Sequence, residues 1–327
     1  MGSFQLRHSH SGVMTIMTAS AGWPMDYPDG PRGGKHGTIA FSPRQSKLGG
    51  IWPLPESPKV GYSQGMKRPG HITVIVLGSG TSAGVPMIGC HCAVCRSSDP
   101  KDQRGRCSIA VEYDGYSYLV DTGPELRQQA IANRLDRIDG VIYTHGHADH
   151  IFGLDDVRRY NTIAGGPLPV YAQADTLGIL QTAFPYAFVH TAPVDGMYRP
   201  ELVPHHIDGP FELGGRVWTP VPLIHGRGEV LGFRIGNFAY CTDCSAIPAA
   251  ARPLLLGLDV LIIDALRPTP HPSHLSFAQA LSIIADLQPK QAFFTHLTHD
   301  VAHADIEKQL PPHVRACYDG LRLEIKS

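Results

Sequence analysis

The run Gly140-Val141-Ile142-Tyr143-Thr144-His145-Gly146-His147-Ala148-Asp149-His150 constrains this chain more than any other stretch. Its first four residues read as a buried strand, and four metal-ligating side chains follow within six positions. Side chains two apart on an extended chain point the same way, so His145 and His147 are expected to bind one cation together. Asp149 and His150 come as the chain turns into Ile151-Phe152-Gly153 and so address a neighbouring point, the place of a second cation. A chain with 18 His could carry a tag-like tract, but tags lack an inserted aspartate and do not follow buried strands. The order H-x-H-x-D-H therefore reads as half of a two-metal hydrolytic site. Two cations about 3.5–4 Å apart lower the pKa of a water between them and neutralise charge on the bond being cleaved. Imidazoles and carboxylates suit zinc, manganese or iron. Zinc is the expected ion by affinity, and the carboxylates at the second position make manganese tolerable.

A second cluster, Cys90-His91-Cys92-Ala93-Val94-Cys95, lies in a glycine-rich loop after the strand Ile72-Thr73-Val74-Ile75-Val76-Leu77. Seven Cys in 327 residues, with no convincing secretory signal, argue against a disulfide framework. Three thiolates need a fourth ligand to close a tetrahedral zinc site. His91, Cys107, Cys241, Cys244 and His299 all qualify. Cys241 and Cys244 flank Asp243 in a C-x-x-C pair; a redox motif needs a different strand-helix context, so both are expected to be packing residues. The loop Gly78-Ser79-Gly80-Thr81-Ser82-Ala83-Gly84 nominally fits a nucleotide-binding G-x-G-x-x-G. Gly84, Pro86 and Gly89 forbid the helix that such a fingerprint opens. Its glycines are expected to let the backbone pass close to the metal site.

A formal net charge of −1 leaves no broad electrostatic footprint for nucleic acid or acidic membranes. No apolar run approaches the roughly 20 residues of a membrane span, and threonines interrupt the faint signal-like core of Val13–Ala21. A cytoplasmic location is expected, with a small ligand as partner and neither a membrane nor a nucleic acid. Residues 1–65 are dense in Gly, Pro and Ser without apolar periodicity. They read as an irregular extension without catalytic residues, or as a segment foreign to a natural start at Met66. Residues 66–327 suit one α/β domain, with strand-like runs at 108–111, 118–121, 169–171, 216–218, 231–235 and 260–264. The best helix is Phe277–Leu287, with Phe277, Leu281, Ile284 and Leu287 as its apolar stripe and Ser276 and Gln279 as a capping box.

H-x-H-x-D-H after a strand resembles the metallo-β-lactamase fold superfamily, and the likeness extends over residues 71–327. The resemblance implies an α/β fold of the αββα four-layer sandwich type. It also implies further ligands, a His, an Asp and a His, at the ends of later strands. His225 after Val221–Ile224, Asp243 after Phe238–Cys241 and His296 after Gln291–Phe294 match. On this likeness His145, His147 and His225 hold the first metal, Asp149, His150 and His296 the second, and Asp243 bridges them. The Cys-x-Cys-x-x-Cys loop together with Thr295-His296-Leu297-Thr298-His299 resembles the PhnP-like cyclic phosphodiesterases of phosphonate breakdown. That likeness makes His299 the fourth ligand of a structural zinc with Cys90, Cys92 and Cys95. It also gives His274, ahead of the capped helix, the role of assisting leaving-group departure, with His271 as a local rival. An alkoxide leaves poorly unless protonated, and an imidazolium near its ordinary pKa supplies that proton. Asp121, at a strand end, would orient a ligand imidazole, and Arg227 would meet a substrate phosphate.

The function expected is a dinuclear-metal phosphodiesterase opening a small cyclic sugar or nucleotide phosphate. Fold and metal core are shared across chemistries. The alternatives are an RNA-processing nuclease of the tRNase Z type, a thioester hydrolase of the glyoxalase II type, and a non-catalytic accessory protein of quinone-cofactor biosynthesis. A nuclease would want a basic RNA-binding arm, and the intact metal motif argues against an accessory protein. A homodimer is implied by family likeness only.

Overall fold

The computed structural model describes residues 70–188 and 198–326. The extension expected at residues 1–65 lies outside them. Two seven-stranded sheets stack face to face. The first holds β1 (His71–Gly78), β2 (Ser108–Tyr113), β3 (Tyr116–Val120), β4 (Gly140–Ile142), β5 (Leu168–Ala172), β6 (Leu202–His206) and, at its far edge beside β1, β14 (Arg322–Lys326). The second runs in the order β13 (Val314–Ala316), β12 (Gln291–Thr295), β11 (Val260–Asp264), β10 (Phe238–Cys241), β9 (Gly228–Ile235), β8 (Arg216–His225) and β7 (Phe211–Leu213).

Each sheet begins with antiparallel hairpins and continues with parallel strands. In the first, β1, β2 and β3 pair antiparallel, and β3 to β6 run parallel. In the second, β7 to β10 are antiparallel and β10 to β13 parallel. The period of two in the sequence decides the layering. On β1, Ile72, Val74 and Val76 enter the core between the sheets, with Trp218, Phe233 and Phe238. Ile75 and Leu77 enter the outer core under α1 (Leu126–Asn133), α3 (Arg158–Ala164) and α4 (Ala174–Ala183), the short α2 (Ala148–Ile151) preceding these last two. On β11, Val260 and Ile262 face inward while Leu261 and Ile263 meet α5 (Phe277–Leu287) and α6 (His303–Gln309) on the other outer face. Helices, two sheets and helices again make the αββα sandwich.

Helix α5 has the bounds and the reciprocal Ser276–Gln279 capping box expected of it. Its buried face is Ala280, Ile283, Ile284 and Leu287, while Phe277 and Leu281 pack only at the margin. The small Ala280 side chain lets the helix close on the sheet along its own line, which rotates the contact away from the expected stripe. The loop after β1 forms no helix. Its glycines allow close backbone approach: a Cβ on Gly78 would stand 2.0 Å from the Arg106 carbonyl oxygen, and one on Gly80 2.6 Å from that of Arg104. They admit the 104–106 strand entry, and the same loop pairs at Gly80 with Leu297, next to His296.

Candidate metal centre

The site gathers at the carboxyl ends of strands, with His147, Asp149 and His150 carried just beyond β4 at the start of α2. Asp121 follows β3, His145 follows β4, His225 ends β8, Asp243 follows β10, Asp264 ends β11 and His296 follows β12. The chain turns sharply at three of them: Asp121, Asp243 and His296 have φ of 63°, 52° and 61°. This left-handed backbone is uncommon outside glycine, costs about 1–3 kcal/mol, and gathers where a site dictates side-chain direction.

His145, His147 and His225 bring their ring nitrogens within 4.8 Å of one another, and Asp149, His150, Asp243 and His296 do likewise with their ligand atoms. His145 and His147 do meet, with ring centroids 4.4 Å apart. They do so from an irregular turn beyond the strand, His147 serving as the extended residue ahead of α2. That short helix carries Asp149 and His150 round to the second group. Asp243 lies between the groups: one oxygen is 3.3 Å from His150 Nε2, the other 3.2 Å from His296 Nε2 and 3.9 Å from His145 Nε2.

These nitrogens are close to carboxylate oxygens yet not bonded to them. His145 Nε2, His150 Nε2 and both nitrogens of His296 are buried without a hydrogen-bond partner among the described residues. Orphaned buried nitrogens are costly, and divalent cations would satisfy them. The charges point the same way. Burial opposes a proton on His296, but the Asp243 carboxylate outweighs it and pushes the imidazole up to about 9. His150, likewise opposed by burial, is raised by Asp243 and Asp121. Burial opposes ionisation of half-buried Asp149, yet it is held at about 2 by the closeness and charge of His150, whose Nε2 lies 3.4 Å away. In His145, burial and then His150 keep the ring neutral, the form a metal ligand needs. The pocket demands positive charge, and imidazole-carboxylate donors fit zinc or manganese.

Outer partners fix the rings. The Asp121 carboxylate accepts from Thr144 N at 2.9 Å and Thr144 Oγ1 at 2.8 Å, and lies 2.8 Å from His150 Nδ1. His225 Nδ1 donates to the Ser273 carbonyl at 2.8 Å. Such bonds present the opposite nitrogen to the centre. His274, buried, stacks 4.5 Å from His296 and sits 4.7 Å from His225. Its Nδ1 is 2.7 Å from Asp264 Oδ2, which also accepts from Cys244 N at 3.0 Å. His271 is only half-buried and is taken up by Ser273. Arg227 is exposed on the turn between β8 and β9.

Sequence reasoning passed over Asp264, although it ends a strand as Asp121 does. It also missed Arg104. This guanidinium is 1% exposed and paired with Asp102 at 3.0 Å. It donates to the carbonyls of Thr298 and Val301, clamping the segment that carries His299.

His299 Nδ1 lies 3.2 Å from Cys90 Sγ and 3.4 Å from both Cys92 and Cys95 Sγ. Zinc bound tetrahedrally through sulfur and nitrogen would space these atoms by about 3.6 Å. A bond from the Cys95 amide leads in lowering Cys92 to about 6, while burial leads in raising Cys95 to about 11. Thiols crowded this way resist joint ionisation unless a cation sits among them. His91 is exposed and outside the group. Cys107 sits 3.3 Å from Thr295 Oγ1, and Cys241 and Cys244 pack in the core under α5.

A beta-lactamase superfamily domain is matched by residues 116–297, more than half of the chain. This chain belongs to that superfamily. It is a metal-dependent hydrolase of the same fold as a solved diphosphatase from the PhnP family, with 46% identity and a TM-score of 0.73 over 78% of this chain and 97% of the other. An octanoyltransferase of Porphyromonas gingivalis is 39% identical over 76% of this chain, which spans half the length of that relative. Coenzyme PQQ synthesis protein B of Rhodopseudomonas palustris is 38% identical over 58% of this chain and 72% of its own. Among the described residues no helix is long and apolar enough to cross a membrane.

Proposed function

We propose that the chain is a dinuclear-metal phosphodiesterase for a small cyclic phosphodiester, a sugar or nucleotide phosphate. The observation that carries this reading is His274. It stands beside both ligand groups while its far nitrogen is engaged by Asp264, so its Nε2 is free for an oxygen at the metal centre. His145, His147 and His225 would hold one cation, Asp149, His150 and His296 the other, and Asp243 both. The pair, when bound, supplies an activated water and neutralises charge gathering on phosphoryl oxygens. Asp121 and the Ser273 carbonyl keep the ligand rings turned inward. His274 gives its proton to the oxygen released from phosphorus, and Asp264 stabilises the imidazolium before transfer. Cys90, Cys92, Cys95 and His299 would hold a structural zinc.

The 46% identical diphosphatase favours a second reading, cleavage of a phosphoric anhydride by the same residues. Comparing kcat/KM for ribose cyclic phosphates, 2′,3′-cyclic nucleotides, a nucleoside diphosphate, a glutathione thioester and a precursor tRNA separates the readings. The cyclic esters should lead. A tenfold preference for thioester or tRNA, with the metals intact, would overturn phosphoryl chemistry on small substrates. A preference for the diphosphate would select the second reading.

A further inference from the structure

The imidazoles offered to the first cation differ in how they are held. His225 leans on the Ser273 carbonyl, whereas His145 Nδ1 lies 3.0 Å from the hydroxyl oxygen of its own neighbour, Thr144. That hydroxyl has a single proton and gives it to Asp121 Oδ2, at 2.8 Å. It therefore accepts from His145, which fixes the proton of this ring on Nδ1 and leaves the lone pair of Nε2 to the cluster, where Asp243 stands 3.9 Å away. The same Asp121 oxygen lies 2.8 Å from Nδ1 of His150, a ligand offered to the second cation. Its other oxygen takes the Thr144 amide at 2.9 Å. One carboxylate thus stands behind both ligand groups, directly for His150 and through one hydroxyl for His145.

Asp121, Thr144, His145 and His150 are all buried. Among the described residues the Thr144 hydroxyl is the one hydrogen-bond partner of His145 Nδ1. The left-handed turn at Asp121 also grips the ligand loop at both ends. The Asp121 amide donates to the Ile142 carbonyl ahead of the motif at 2.9 Å, and the Thr122 amide to the His150 carbonyl within it at 2.7 Å. We propose that Thr144 is a positioning residue, whose hydroxyl carries the hold of Asp121 to His145 and sets how tightly the first cation is kept. This rests on the assignment of two cations to the histidine cluster. Without the hydroxyl, the His145 ring can turn, or move its proton to Nε2, and in either case it no longer offers a lone pair to the cation. The second group keeps its support, because His150 meets Asp121 with no intermediary.

The test titrates protein holding zinc at the thiol cluster with manganese(II), the free ion being counted by its paramagnetic resonance. Wild-type protein should take up a pair of ions. In Thr144→Val, which keeps the shape and removes the hydroxyl, affinity for one of them should fall by roughly 10–100-fold, the usual cost of losing the outer partner of a ligand. Affinity for the other should stay, and manganese-edge anomalous scattering should place that ion at Asp149, His150 and His296. Its resonance should show the hyperfine pattern of an isolated ion in place of that of a coupled pair. Thr144→Ser should restore both ions, and Asp121→Asn should weaken both. If valine beside the carboxylate prevents folding, Thr144→Ala removes the same hydroxyl and is read in the same way. Equal losses of both ions that serine does not mend would assign Thr144 to packing and overturn the inference. Unchanged affinities in Thr144→Val, or a retained ion found at His145, His147 and His225, would overturn it too while sparing the two-cation reading. A wild-type cluster that takes up a single ion would overturn that reading first.

Discussion

His274 illustrates how a single residue's role depends on neighbours that its own sequence context does not reveal. With Asp264 behind it, His274→Ala should leave both metals in place and slow substrates with alkoxide leaving groups by about 10²–10⁴-fold, the usual scale of general acid help. Esters of p-nitrophenol, whose leaving group needs no proton, should lose much less, and equal losses would assign His274 to binding. Asp264→Asn should show the same pattern at smaller amplitude, since the ring keeps a hydrogen bond but loses the charge that stabilises its cation. The ligand residues behave differently. Asp149→Ala or His147→Ala should abolish turnover and cost metal at the histidine cluster while the thiol cluster keeps its own; full metal content with normal rates would sink the two-cation assignment. The motif around Asp149 was legible because its ligands are neighbours in the chain. Asp264 and Arg104 were not, because a lone aspartate at a strand end and a lone arginine outside any motif acquire meaning only through what the fold brings opposite them.

Elements divide the same way. Strands β1 and β11 could be read from their apolar runs, and α5 from its period and capping box, since the pattern of each is its own. Strands β6, β7, β13 and β14 escaped notice: two have three residues, β6 contains Pro204, and all four are sheet edges with one neighbour each. Edge pairing depends on a partner distant in sequence, as β14 depends on β1 across some 250 residues. The rotated face of α5 is a packing result, set by Ala280 against the sheet. Ile284, 2% exposed in the outer core, should therefore be the costly position: Ile284→Ala is expected to destabilise by about 2–5 kcal/mol. Leu281→Ala, at the margin, should cost clearly less. Denaturant titration of both variants checks the order, and a reversed order would restore the stripe read from the sequence.

At the scale of the molecule, two sheets with one plan bring their strand ends together, and the buried charge at that junction couples metal to folding. In metal-free protein the His296 imidazole is raised from 6.5 to about 9, chiefly by Asp243 against the opposition of burial. A proton bound more tightly in the folded state stabilises it below about pH 6.5, and that stability is lost as pH rises through about 9. Stripped protein should thus melt at falling temperatures from pH 6.5 to 9, whereas loaded protein, with cations in place of protons, should hold nearly steady; parallel slopes would separate His296 from the metal. The thiol cluster couples more widely. It joins the first loop to a segment about 200 residues later, and Leu297 N to Ser79 O at 2.9 Å and Thr81 N to Leu297 O at 3.1 Å continue the same seam. A metal closing so long a loop contributes folding free energy directly. Cys92→Ser should therefore lose one metal equivalent and lower the thermal midpoint. It should also weaken retention at the histidine cluster, because His296 lies three residues from His299 on the tethered segment. X-ray absorption of protein stripped of labile metals should find three sulfurs and one nitrogen. Four sulfurs would bring in Cys107, Cys241 or Cys244. An unchanged midpoint in Cys92→Ser with the metal gone would mean that Arg104 and the backbone seam hold the segment without it.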